Sequence, residues 1–197
     1  MAPYRGVKTR LAPGFLVASP GLRCPFFHHT LVLLVEHDDG GSLGFVLNRP
    51  SGTPLSELIR HLDADSPEEI GGELGGEIWV GGPVAPETGW VIFDPDSGDT
   101  RAIEQVKLGD RIAVTESRSL LESLARGAVP ERYSVLLGYA GWGPGQLDEE
   151  IREGSWMWAE LDPALVFERP PEERWQAALE AMGIDPAHVS GQRVADA

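Results

Sequence analysis

Apolar positions along this chain repeat in two different ways, and the switches between them mark out the elements. Residues 29–37, "HTLVLLVEH", form a continuous apolar, β-branched run, the pattern of a strand buried on both faces. "DDGG" follows, then a second strand-like run, "SLGFVLNRP" (42–50). Asp39-Gly40 between them signals a hairpin, because glycine accepts the positive φ of a tight turn. Pro50 should end the second strand, since it has no N–H to give a ladder. Upstream, "LAPGFLVASPG" reads as a first strand and not a leader, its apolar part being short and broken by Pro13 and Gly14. Further on, "IWVGG" and "GWVIFDP" read as a strand pair joined around residues 83–89. "DRIAVTES" and "RYSVLLGYAGW" (132–142) read as two more strands.

The helical period appears four times. In "TPLSELIRHL" (53–62), Leu55, Leu58, Ile59 and Leu62 share one face, with Thr53 as expected N-cap and Pro54 at the first helical position. "SRSLLESLARG" (117–127) reads as a helix ended by Gly127. In "GQLDEEIREG" a short helix buries Leu147 and Ile151, and Asp148 and Glu149 complement its dipole. "PPEERWQAALEAMG" (170–183) has proline at its start, acids in its first turn, Trp175, Ala178, Leu179 and Met182 on one face, and Gly183 beyond its end. The acidic, glycine-rich stretch 63–77 lacks any period and is expected as a surface loop, and the tail from Asp185 as loosely held. With no repeat and no long linker, the expectation is one α+β or α/β domain over 1–197, its ordered core about 11–186.

Composition narrows the function classes. A chain of 197 residues buries roughly 70% of its unfolded surface and needs neither disulfide nor metal to hold it. The net charge is −15, and Lys8 and Lys107 are the only lysines. Such a surface repels phosphate backbones, so direct nucleic-acid binding is not expected; the acidity gives solubility or suits a basic protein partner. Cys24 is the single cysteine, which excludes an intramolecular disulfide and fits a cytoplasmic location. No run approaches the ~18 apolar residues of a membrane span.

The candidate chemistry is sparse. "GGSLG" (40–44) matches G-x-S-x-G, but a nucleophile elbow needs a helix after the serine, and Leu43 to Asn48 are strand-like. The five histidines lack zinc-ligand spacing, and His28 and His29 should point opposite ways in an extended chain; no metal is expected. Cys24 beside Arg23 reads first as a small hydrophobe before a proline, with a reactive thiol as the alternative. The glycine pairs 71–72, 75–76 and 81–82 precede no Gly-Lys-Ser/Thr. Gln146 stands where a dinucleotide fingerprint needs its third glycine, so no cofactor is expected. Glu150 lies i+3 from Leu147, at the edge of the buried face, and is the acid of its helix placed to enter a cleft.

Three blocks then carry a resemblance. They are "GFLVASPGLRCPFFHHTLVLLVEHDDGGSLGFVLNRP" (14–50), "VGGPVAPETGWVIFDPD" (80–96) and "LGYAGWGPGQLDEEIREGSW" (137–156), with "RWQAALEAMGID" after them. In this order they resemble the AlgH/YqgE family of bacterial proteins. Cys24 stands where many relatives carry an acid, "WVIFDPD" replaces a segment often ending Leu-His, and Asp148 replaces a more usual glutamate. The resemblance implies an α+β fold, a large mixed sheet flanked by helices in one domain. It also implies the transcriptional-regulator label some members carry, but no catalytic residue or cofactor. Without a basic face or helix-turn-helix pattern, regulation through a partner protein is the form expected.

The resulting expectation is a binding or regulatory module in which Glu36, His37, Asn48, Arg49, Tyr139, Trp142, Gln146, Glu150 and Trp156 gather around one surface groove. These residues sit at strand ends and at a strand-to-helix turn, and Asn48 is the only asparagine. They could equally cap turns and satisfy buried backbone groups. The rival class is an enzyme, a hydrolase or transferase, with Glu150 or His37 as acid/base.

Overall fold

A computed structural model describes residues 11–62, 77–98, 100, 104–116, 120 and 130–185. In chain order the strands are β1 (Gly14–Ala18), β2 (Leu31–Asp38), β3 (Gly41–Val46), β4 (Pro50–Pro54), β5 (Glu77–Val80), β6 (Val84–Phe93), β7 (Val106–Lys107), β8 (Ala113–Thr115), β9 (Tyr133–Trp142) and β10 (Trp156–Ala159). Helix α1 (Leu55–Leu62) follows β4, α2 (Gln146–Arg152) follows β9, and α3 (Pro163–Phe167) and α4 (Pro171–Ala181) follow β10. The expected helix 117–127, the acidic stretch 63–76 and the tail from 186 lie outside the described residues, Leu120 excepted.

One sheet of ten strands runs in the order β10-β1-β2-β3-β9-β6-β8-β7, with β4 joined through β5 to β9. All its pairings are antiparallel except β5 with β9, which makes the mixed sheet of an α+β fold. At its middle, Phe15, Leu33 and Phe45 stand side by side across β1, β2 and β3 and are fully buried. The next row, Leu16, Val32 and Val46, points to the other face and is equally buried. Burial on both faces is what the unbroken apolar run of β2 requires. A second, smaller core gathers Leu55, Ile78, Val91, Phe93 and Val135 beneath α1.

Two expectations fail locally. Helix α1 begins at Leu55, not after a Thr53 cap, and Pro50 opens β4 instead of ending β3, which stops at Val46. Pairing of Pro50 with Trp79 and Pro54 with Glu77 holds 50–54 extended. Prolines suit such an edge strand because they need no ladder donor there. Nor do β5 and β6 pair with each other: β9 runs between them, beside β5 at Leu136 and Leu137 and beside β6 from Tyr133 to Tyr139.

The chain passes from one edge of β9 to the other through Gly81 and Gly82. A side chain on Gly82 would collide with the Tyr139 backbone. One on Gly138, whose φ is +69°, would meet the carbonyls of Gly82 and Val84 at 2.6 and 2.8 Å. "VGGP" is thus a crossing of two backbones at a distance only glycine allows. Its flanks look like a hairpin because the strand lying between them comes some fifty residues later in the sequence.

Successive antiparallel pairings leave β9 and β10 running the same way, with three strands between them, so the link needs a crossover. Helix α2 supplies it, entered through Gly145 in the left-handed region (φ +72°). Helix α4 closes the β1–β2 end of the sheet. Its Trp175 donates Nε1–H to the Ala18 carbonyl at 2.8 Å, and Arg174 donates to the carbonyls of Leu47 (2.6 Å) and Arg169 (3.1 Å). Burial lowers the Arg174 pKa to about 10, which still leaves it charged at neutral pH.

Candidate functional site

Helix α2 carries one carboxylate inward, and it is Glu150. Its Oε2 accepts the indole N–H of Trp142, at the end of β9, at 3.0 Å and that of Trp156, at the start of β10, at 2.8 Å. Its Oε1 accepts from the Gln146 amide one turn earlier, at 2.8 Å, while Gln146 Oε1 receives the Gly143 N–H at 3.0 Å. The two indoles are 6% and 2% exposed and meet edge to face, with ring centres 5.8 Å apart. Phe27 packs on both. Four of the nine sequence-nominated residues therefore converge, but as a latch joining the two ends of the crossover. Three donors occupy both carboxylate oxygens, so Glu150 serves architecture in this arrangement, as bonds to an ionised acceptor suit it to do.

Beside the latch, His37 and Ser42 are direct partners across the β2–β3 hairpin, joined Nδ1 to Oγ at 2.8 Å. The other ring nitrogen of His37 faces Asp148 Oδ1 of α2 at 3.7 Å. Serine, histidine and acid are in line, but Ser42 lies inside β3, paired to His37 on one side and Trp142 on the other, and not on the strand-to-helix turn that exposes a nucleophile. A β-bulge between Leu34 and Glu36 offsets the end of β2. Glu36 pairs with Leu43, which pairs with Gly141, and this row points to the sheet face opposite the latch.

Along that row lies an open groove of about 510 Å³, lined by Glu36, Asp38, Val84 and Tyr139 among others and reaching Ser42 and Trp142 at the strand ends. Val84 is 38% exposed there, and Tyr139 meets the Trp90 ring edge to face at 6.2 Å. Among the described residues, no hydrogen bond or ion pair engages the side chains of Glu36 or Tyr139. Asp38 and Val84 are groove residues that sequence reasoning passed over, and Ser42 is one it weighed only as a nucleophile. Val84 had no local signal, since an exposed valine in a strand reads as an ordinary strand former.

Asn48 and Arg49 are placed elsewhere, near the other end of β3. Asn48 Oδ1 accepts the Leu31 N–H at 3.0 Å and its Nδ2 donates to the His29 carbonyl at 2.8 Å, clamping the entry to β2. The Arg49 guanidinium lies 5.1 Å from the centre of the Phe26 ring, and its Nε is buried without a partner. Neither lines the groove, so the nine residues do not share one surface: Glu36, Tyr139 and Trp142 do. His28 and His29 do not point apart either. His29 takes a positive φ of 54° in the turn before β2, and its ring stacks on His28 at 3.7 Å and on Trp175 at 3.9 Å. Burial, then the neighbouring His28, pulls the His29 pKa below the ordinary histidine value. Cys24 is exposed. The described residues hold no group of three or more histidine, cysteine or acidic side chains able to bind a metal ion.

Comparison with known proteins agrees with the fold. A family model described as AlgH-like matches residues 15–187. A UPF0301 protein of Anaeromyxobacter dehalogenans is 46% identical over 180 residues, 90% of each chain. Another, from Methylococcus capsulatus, is 41% identical over 92% of this chain and 94% of its own. The solution structure of the AlgH protein from Pseudomonas aeruginosa superposes with a TM-score of 0.75 at 34% identity, covering all of both chains. A Corynebacterium diphtheriae protein shares the fold at 20% identity, with a TM-score of 0.71 over 91% of this chain and 92% of its own. With the sheet order, the Gly-Gly-Pro crossing and the helix after β9 in place, the chain belongs to the AlgH-like family.

Proposed function

We propose that the protein is a cytoplasmic binding or regulatory module whose groove along Glu36, Asp38, Val84 and Tyr139 receives a basic segment of a partner protein. The observation that carries this reading is the contrast between two sets of polar side chains. Glu150, Gln146 and Asn48 spend their hydrogen-bonding capacity inside the protein, whereas Glu36 and Tyr139 line an open groove with theirs unspent. Two carboxylates beside an exposed valine and a tyrosine suit a short strand or loop carrying lysine or arginine, and the chain's net charge of −15 steers such a partner toward it. Any influence on transcription then runs through that partner, and a mobility-shift series on DNA should show no salt-sensitive binding.

The test is capture from cells of the source organism with wild type, Glu36→Arg and Tyr139→Ala. A partner retained by wild type at low salt, released as salt rises and lost from both variants supports the groove. An unchanged set of partners in both variants overturns it.

A second reading, an enzyme using His37 as acid/base, rests on the Ser42–His37–Asp148 alignment. A fluorophosphonate probe tests it: Ser42 Oγ would displace fluoride while His37 takes the hydroxyl proton. Labelling lost in Ser42→Ala and His37→Gln would support it, and absence of labelling in wild type would end it.

A further inference from the structure

The groove along Glu36 and Tyr139 runs out at an open strand edge. Val46, the last residue of β3, donates its N–H to Gly81 O, and Leu47 donates to Leu31 O of β2 on the other side. Backbone groups alternate sides along a strand, so Ser42 and Gly44 turn theirs toward β9, as Val46 does. They form hydrogen-bonded pairs with Trp142 and Ala140. Gly141, between those two, therefore turns its N–H and C=O away from β3, toward the β6 side. There the pairing of β6 with β9 ends at Val84 and Tyr139. That pair exchanges both bonds directly, since the other ladder pattern would need an N–H from Pro83. Gly82, which would come next opposite Gly141, has instead crossed β9 over Tyr139, and Gly81 bonds to Leu137 O on the far side. Among the described residues nothing completes the ladder at Gly141, which is exposed.

The groove meets this edge along one row. Glu36 pairs with Leu43 and Leu43 with Gly141, so the three stand in line across β2, β3 and β9. A Cβ on Gly141 would stand 3.5 Å from the Tyr139 ring and 3.8 Å from Val84 Cγ2. Bare backbone thus floors the groove between those two side chains. We infer that the partner segment binds as an extended strand added to β9 at Gly141, with an arginine as the paired residue. The arginine's N–H and C=O bond to the C=O and N–H of Gly141, in the place that β6 leaves beyond Val84. Paired residues project to the same sheet face, so its side chain enters the groove over Gly141. The apolar stem lies between Tyr139 and Val84 and on Leu43, and the guanidinium is directed along the row toward Glu36. This inference rests on the proposed groove and names how its occupant is held.

The probe is the blocked peptide acetyl-Thr-Val-Arg-Val-Thr-amide, whose β-branched residues favour an extended chain. One control carries an N-methyl group on the arginine backbone nitrogen, which removes a single N–H and keeps the charge. The other carries citrulline, a neutral isostere, in place of arginine. The readout is the backbone amide spectrum of nitrogen-15-labelled protein, so the fold is untouched. The parent peptide should move the Gly141 amide downfield in a saturable way, with Tyr139 and Glu36 following. N-methylation should weaken binding about fivefold or more, and citrulline about tenfold. If the N-methyl peptide binds as tightly as its parent and moves Glu36 and Tyr139, the groove stands and strand addition is overturned. Equal binding of the citrulline peptide overturns the arginine. Absence of a saturable Gly141 shift with the parent overturns the inference, and partner capture with Glu36→Arg then judges the groove by itself.

Discussion

Trp142 and Trp156 donate their indole N–H groups to the same oxygen, Glu150 Oε2, at 3.0 and 2.8 Å, although one closes β9 and the other opens β10. Their shared acceptor makes the crossover through α2 a tied element. Glu150→Gln tests how firmly. All three partners of Glu150 donate, and a glutamine offers one oxygen and one donor, so its oxygen can keep both indoles while its amide nitrogen meets the exposed Gln146 amide and the charge on the shared acceptor is lost. Urea unfolding followed by tryptophan fluorescence should show a loss of about 1 kcal/mol. Partner capture by the folded variant should be unchanged, since Glu150 does not line the groove and bonds to neither Glu36 nor Tyr139.

Asn48 is predicted to matter for folding and not for binding. Its amide is both acceptor and donor to the backbone on either side of Thr30. Asn48→Asp keeps the bond from Leu31 N–H but sets a carboxylate against the His29 carbonyl. The expected cost is about 1–2 kcal/mol in the denaturation midpoint, with the Glu36-dependent interaction intact.

Gly82→Ala should be far worse than either. Its new methyl group would occupy the space of the Tyr139 backbone, where the chain crosses β9, and no side-chain rotation relieves that collision. A loss above about 3 kcal/mol, or failure to accumulate folded protein, is expected from soluble yield and thermal melting. Gly145→Ala, at a positive φ with open space around it, is the milder comparison.

Acid stability should carry the signature of Asp94. This buried carboxylate is bonded by Arg111, with Nη2 at 2.6 Å, and lies 3.8 Å from Arg132. The Arg111 bond above all holds its pKa below the ordinary aspartate value, against the opposing effect of burial. A depressed folded pKa means stability that is fully present above the unfolded pKa, near 4, and lost as pH falls through the folded one. Denaturation midpoints taken between pH 2 and 6 should therefore fall more steeply for wild type than for Asp94→Asn. His29 acts in a higher window. Its lowered pKa makes protonation favour the unfolded chain, so stability declines as pH drops below about 6.5 and His29→Gln should flatten that limb.

Much of the sheet and its helices was legible because the signals were local. The apolar run of β2, the turn at Asp39-Gly40, the long β9 and the capped amphipathic α4 each carry their instruction within a dozen residues. What could not be read was pairing at a distance. "WMWA" is too short to announce β10, and only β1, some 140 residues earlier, makes it a strand. The β5–β6 segment looks like a hairpin until β9 is inserted between its halves. At the site, Glu150 was recognisable as the acid at the edge of α2's buried face, and its aromatic partners as tryptophans without a local role. Their convergence on one oxygen depends on how α2 spans the sheet. Asn48 was conspicuous by composition, yet its two partners lie 17 and 19 residues upstream. The groove left the weakest trace, since Asp38, Ser42 and Val84 are ordinary residues for a hairpin and a strand.

Photo-crosslinking tests the groove most directly. A benzophenone amino acid replaces Tyr139 in one sample and the exposed Glu173 of α4 in another, and both proteins are irradiated in cells of the source organism. The account predicts one discrete protein adduct from position 139, absent from position 173 and lost when Glu36→Arg is added. The same adducts from both positions, or an adduct at 139 indifferent to Glu36→Arg, would contradict it.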